Sequence, residues 1–129
     1  MKELQFWKCP VCGKLVWEVN ESGSVPICCG RAMIHLQPEA DEGPGEKHIP
    51  VSVLKDGILT VRVGAVPHPA LPAHHIEWIA LQCPDRTGFR FLAADERPEV
   101  CFDAECLDPE AVYIYCNIHG LWKGGVVKE

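Results

Sequence analysis

Two groups of side chains carry the chemistry of this sequence. The first is Cys9, Cys12, Cys28 and Cys29: a C-x2-C knuckle followed by an adjacent pair. Four thiolates are the donor set for a tetrahedral zinc or a mononuclear iron, and spacing alone does not separate the two metals. Neighbouring side chains on an extended strand point in opposite directions. The backbone must therefore bend at 28–29 for both sulfurs to reach one centre, and a distorted tetrahedron is expected.

The second group is His48, His68, His74, Cys116 and His119. Cys116 and His119 lie in Tyr-Cys-Asn-Ile-His-Gly-Leu-Trp, where Gly120 marks a turn, so both side chains can converge from one loop. His68 stands between Pro67 and Pro69, which stiffen the loop that holds it. Four imidazoles and a thiolate exceed the four ligands of a structural zinc. They suit an iron that uses five positions and leaves a sixth for a small oxygen species. His74 is expected to open a strand, sharing a face with Ile76 and Trp78 and setting the tryptophan beside the metal. Taken singly, each histidine also reads as an ordinary hydrogen-bonded strand-end residue, and only their meeting would make a site. His35 and His75 read as non-ligands. Cys83 and Cys101 read as small buried hydrophobes, and Cys106 as an exposed loop thiol.

The elements that must position these groups fall into three stretches. Residues 1–36 form a small metal-bound unit with a strand near 14–19 and a turn at 20–24. Residues 37–47, rich in proline, glycine and charge, read as a linker or active-site loop. Residues 48–129 carry short strands at 49–54, 58–63, 75–83, 89–92, 100–102 and 112–116, with a further one at 126–127. Asp56-Gly57 marks a hairpin turn. Regularly spaced strands without an amphipathic helix predict an all-β fold, an antiparallel β-sandwich.

Composition narrows the function. The 129 residues carry a net charge of −6 with lysine and arginine scattered, which argues against nucleic-acid binding. No apolar run approaches the ~20 residues needed to span a bilayer. Nothing at the start reads as an export leader, so a cytoplasmic protein is expected. In such a reducing compartment the eight cysteines favour metal over disulfides.

Several motifs together resemble a known family. Phe6-Trp7-Lys8-Cys9-x2-Cys12 with Cys28-Cys29-Gly30 is similar to the desulforedoxin-type iron domain. Four further stretches resemble the catalytic domain of superoxide reductase: Glu46-Lys47-His48-Ile49-Pro50, Val63 to Pro69, His74-His75-Ile76-Glu77-Trp78-Ile79, and Tyr115 to Lys123. The whole resembles the desulfoferrodoxins, the two-iron superoxide reductases. The likeness implies an immunoglobulin-like sandwich and two irons per chain. One would be an Fe(Cys)4 on Cys9, Cys12, Cys28 and Cys29, a site that zinc could take in recombinant protein. The other would have His48, His68, His74 and His119 in a plane and Cys116 on the axis. It further implies reduction of superoxide to hydrogen peroxide, a rubredoxin-type electron donor and a homodimer. By the same likeness Lys47 is the cation beside the open position, and Glu46 the carboxylate that closes onto it. The sequence departs from the family at His75, where an aromatic residue is usual, and at Ala70-Leu71-Pro72-Ala73, which replaces a more charged stretch at the site rim. Dismutation of superoxide and simple electron carriage remain as alternatives to reduction, and a zinc-ribbon adaptor as a third.

Overall fold

The computed structural model describes residues 2–40, 47–104 and 108–129. Glu46 and Cys106 lie outside them. The chain separates into two compact units, Met1–Gln37 and Pro38–Glu129. Among the described residues no helix occurs, so none is long and apolar enough to cross a membrane.

The first unit is built on β1 (Gln5–Lys8), flanked by β2 (Leu15–Glu18) and β5 (Ile34–Leu36) in the order β2-β1-β5. The strands β1 and β5 carry no clear sequence signal, because each is short and adjoins a cysteine or polar stretch. A separate hairpin pairs β3 (Ile27–Cys28) with β4 (Arg31–Ala32). Its two turn residues, Cys29 and Gly30, have φ of 53° and 72°, the left-handed pair that a type I′ turn requires.

The second unit holds β6 (Pro50–Lys55), β7 (Ile58–Val63), β8 (Ile76–Cys83), β9 (Arg86–Phe91), β10 (Glu99–Asp103), β11 (Ala111–Cys116) and β12 (Gly120–Lys128). Their order is β10-β7-β6-β12-β11-β8-β9. Residues 120–125 of β12 pair with β11, and Val126–Lys128 run parallel to β6. The two wings thus share one strand and close on a common core: Leu59, Val61 and Val100 from one wing cluster with Ile79, Leu81, Val112 and Ile114 from the other. The sandwich is all-β as expected, with hydrogen bonding continuous through β12. The last strand starts far earlier than 126 because Gly124-Gly125, which reads as a break, is where β12 changes partner. A Cβ on Gly124 would collide with the Pro50 carbonyl oxygen, so only glycine lets the strands approach there.

Alternation explains most burial. In β7, Leu59, Val61 and Val63 point inward while Ile58, Thr60 and Arg62 point outward. Cys101 follows the same rule against expectation: on β10 it faces solvent opposite Thr60, with Val100 buried beside it. Cys83 is buried as expected. β8 and β11 are covered on both faces, and the fully buried Tyr113 donates its hydroxyl to Gln82 Oε1 at 3.1 Å.

One irregularity sets up the second group of donors. Tyr115 pairs with Trp78, but Cys116 pairs with Ile76, so Glu77 is an extra residue in β8. A bulge of this kind reverses alternation. Ile76 therefore joins Cys116 in the core, whereas Trp78 stacks on Tyr115 at 5.8 Å and packs edge-on to Phe89. The expectation that Trp78 shares a face with Ile76 at the metal fails for this reason.

Candidate metal centres

In the first unit the sulfurs of Cys9, Cys12, Cys28 and Cys29 all lie within 4.8 Å of one another. The knuckle forms because Cys9 N bonds Lys14 O at 2.9 Å and Gly13 N bonds Cys9 O at 3.1 Å. The amides of Val11 and Cys12 both donate to Cys9 Sγ at 3.4 Å. These donors, that of Cys12 foremost, pull the Cys9 thiol down to about 6. Sulfur neighbours act the other way on Cys29, where Cys12, Cys9 and Cys28 push it up to about 12. Four sulfurs so crowded share protons unless a cation replaces them. The adjacent cysteines converge because Cys29 is left-handed; its Sγ stands 3.9 Å from that of Cys28, which is 3.8 Å from Cys12 Sγ.

The second group gathers at one end of the sandwich. His48 precedes β6, His68 lies in the loop after β7, and His74 pairs with Leu71 just ahead of β8. Cys116 ends β11 and His119 lies in the turn to β12. Donor atoms of His48, His68, His74 and Cys116 lie within 4.8 Å of one another. His119 completes the set, with Nδ1 3.0 Å from His48 Nε2 and 3.7 Å from Cys116 Sγ.

The imidazoles form a nearly square ring. Successive centroids, in the order 48, 68, 74, 119 and back to 48, are 4.8, 4.6, 5.0 and 4.7 Å apart. The 48–74 diagonal is 6.3 Å, close to what a square of that side requires. Adjacent rings stand at 64° to 79° to one another, and a ring nitrogen of each lies close to its neighbours' donors.

The protonation of this ring suits a cation. His68 Nδ1 stands 2.8 Å from the Pro69 carbonyl, which can only accept, so the proton is on Nδ1 and the lone pair on Nε2. Burial is the first cause that pushes the His68 imidazole down to about 4 and lowers that of His74. The buried Nε2 atoms of His68 and His74 have no hydrogen-bond partner. Such an atom costs roughly 1–3 kcal/mol when left unmet, and a metal ion inside the ring would satisfy both. The residues present therefore fit the iron that the family resemblance implies.

Residues that were not singled out from sequence complete the enclosure. Trp122, not Trp78, is the aromatic at the ring: it stacks on His48 at 4.8 Å and 16°, and its Nε1 donates to His119 O at 3.1 Å. Its signal was its place two residues after Gly120 in a strand that leaves the His119 turn. Gly64, at φ +84°, lies against the backbone of Lys47; a Cβ there would sit 2.7 Å from Lys47 Cα. That close approach seats Lys47 and His48 beside the His68 loop. Lys47 is exposed, and its positive charge is one of the lesser influences lowering His74. His35 and His75 stand outside the ring. His35 bonds Gln5 and packs at a tilt against Trp7, and His75 Nδ1 donates to Leu71 O.

Fold and donor sets together define an all-β metalloprotein with one four-thiolate cluster and one cluster of four imidazoles and a thiolate. A family model described as desulfoferrodoxin matches residues 40–125. The desulfoferrodoxin of Desulfarculus baarsii is 38% identical over 122 residues, covering 95% of this chain and 96% of that one. A desulfoferrodoxin homolog of Methanothermobacter thermautotrophicus is 39% identical over 119 residues, covering 92% and 95%. Among solved structures, the superoxide reductase from Treponema pallidum superposes with a TM-score of 0.80 at 28% identity, covering 95% of this chain and 98% of its own. The chain belongs to the desulfoferrodoxin family.

Proposed function

We propose that this protein is a superoxide reductase, converting superoxide, one electron and two protons into hydrogen peroxide without releasing dioxygen. The observation that carries this reading is the square of imidazoles with Cys116 buried to one side and two Nε2 lone pairs unmet. His48, His68 and His74 would hold the metal through Nε2, His119 through Nδ1, and Cys116 through its thiolate. Iron held by these five donors would supply the electron that superoxide takes up. The chain's own residues do the rest. Lys47, charged and exposed, attracts the anion locally against a net charge of −6 and orients the water that delivers a proton. Trp122 covers one imidazole and keeps water from that side. Glu46, outside the described residues, is the carboxylate proposed to close the site after product leaves.

Cys9, Cys12, Cys28 and Cys29 would hold the other iron, at the first centre, and the same thiolates accept zinc. A rubredoxin-type donor, a homodimer and a cytoplasmic location complete the proposal. The same sequence can be tested against dismutation by its products. With a chemical reductant present and pulsed superoxide, one peroxide should form per superoxide with no oxygen evolved. Oxygen release at half that peroxide yield would establish dismutation instead.

A further inference from the structure

Asn117 occupies the point where the β8–β11 ladder ends and the chain turns toward His119. The last backbone pair is Cys116 with Ile76. Beyond it Asn117 N donates to His75 O at 3.2 Å. Its side chain then does what a further peptide would do: Oδ1 accepts from His75 N at 2.9 Å, and Nδ2 donates to Ala73 O at 3.1 Å. Both partners are backbone groups of fixed polarity, so the amide has one possible orientation. A flipped amide would set oxygen against oxygen and N–H against N–H.

These bonds bracket His74 on both sides. The backbone N and O of His74 itself are spent on Leu71, each at 3.0 Å. They tie His74 to its own loop and not to β11. The link from that loop to the strand carrying Cys116 runs through Asn117, which adjoins Cys116 in sequence. We propose that Asn117 is a positioning residue that fixes His74 relative to Cys116, making the amide a clamp between an in-plane donor and the buried thiolate. Groups that orient metal ligands are commonly worth 10–100-fold in metal affinity. The inference rests on the ligand assignment proposed above.

The test uses the full-length metal-loaded protein and the variants Asn117→Ala and Asn117→Asp. Metal release from the second centre to a chelator is followed by loss of its visible thiolate absorption, with the four-cysteine centre as internal reference. Hydrogen exchange at the His75 amide is measured separately in metal-free protein. Asn117→Ala should release second-centre metal roughly tenfold faster, shift its absorption band, and deprotect the His75 amide, while the first centre is unchanged. Asn117→Asp keeps the acceptor for His75 N but sets an oxygen against Ala73 O. It should retain His75 protection and still release metal as fast as the alanine variant. Release within about twofold of wild type, with an unshifted band in both variants, overturns the clamp. Should Asn117→Ala not fold, the aspartate variant alone decides it on release rate. If the unsubstituted protein binds no metal at the second centre, the ligand assignment fails. The clamp would then stand or fall on His75 exchange alone.

Discussion

His68 has its Nδ1 proton committed to Pro69 O and its Nε2 buried without a partner, so a lone pair faces a space shared with three other imidazoles. Cys116 closes that space from within the core, fully buried at the end of β11. Replacing Cys116 by serine should abolish superoxide reduction and remove the visible thiolate band of the second centre, leaving that of the four-cysteine centre intact. Spectra recorded before and after reductant, with superoxide decay traces, read both effects. Lys47 is proposed for a different part, contributing charge and not coordination. In Lys47→Ala, capture of superoxide should slow by roughly tenfold at low salt, in line with local electrostatic attraction, and its dependence on ionic strength should flatten. An unchanged second-order rate at low salt removes Lys47 from the mechanism. Trp122 holds two of the donors at once. Its replacement by phenylalanine keeps the stack on His48 and loses one hydrogen bond, costing about 1 kcal/mol. Alanine at this position should cost about 3–5 kcal/mol, and urea unfolding distinguishes the two.

Single irregularities within elements decide where these residues point. The type I′ turn at Cys29-Gly30 brings adjacent sulfurs to one side, and this bend was foreseen from the adjacency alone. The extra residue at Glu77 was not. A bulge leaves no mark in residue type, because Ile76, Glu77 and Trp78 read equally well as plain alternation; only pairing with β11 shows that the register slips. The exposed Cys101 is the converse case. Period two from Val100 predicts its outward face, but sequence does not say which parity of β10 meets the core. Gly64 shows how a loop is held in place. A side chain there meets the Val66 carbonyl oxygen at 2.5 Å and the Lys47 backbone, at a φ that L residues rarely adopt. Gly64→Ala should therefore lose about 2–4 kcal/mol. Metal analysis should show depletion of the second centre with the first still filled, because the strained loop lies between Lys47 and His68.

At the scale of the molecule the two units differ in what holds them together. The described residues of the first unit bury few apolar side chains, Leu4, Phe6, Cys9 and Met33. Metal binding must supply much of its folding energy. The second unit has a core drawn from both wings of its sheet and can persist without metal. Stripping metal with a chelator under reducing conditions should collapse the amide dispersion of residues 2–37 and leave that of β6 to β12 largely in place. Loss of both units together would show that the sandwich also depends on its metal.

Cysteine and histidine types, the knuckle, the Asp56-Gly57 turn and the strand periodicity were legible from the sequence because each is a local property, set by side-chain chemistry or by a few consecutive dihedrals. They pointed to an all-β chain and named the nine cysteine and histidine side chains that the structure gathers into two groups. The tertiary structure decided what depends on pairing between distant segments. It closed the imidazoles into a square, turned Trp78 away and brought Trp122 in, and exposed Cys101. It also seated Lys47 against Gly64 and bonded Asn117 to the backbone on either side of His74. The physical reason is that register and close approach belong to two strands at once, and no single stretch of sequence holds both.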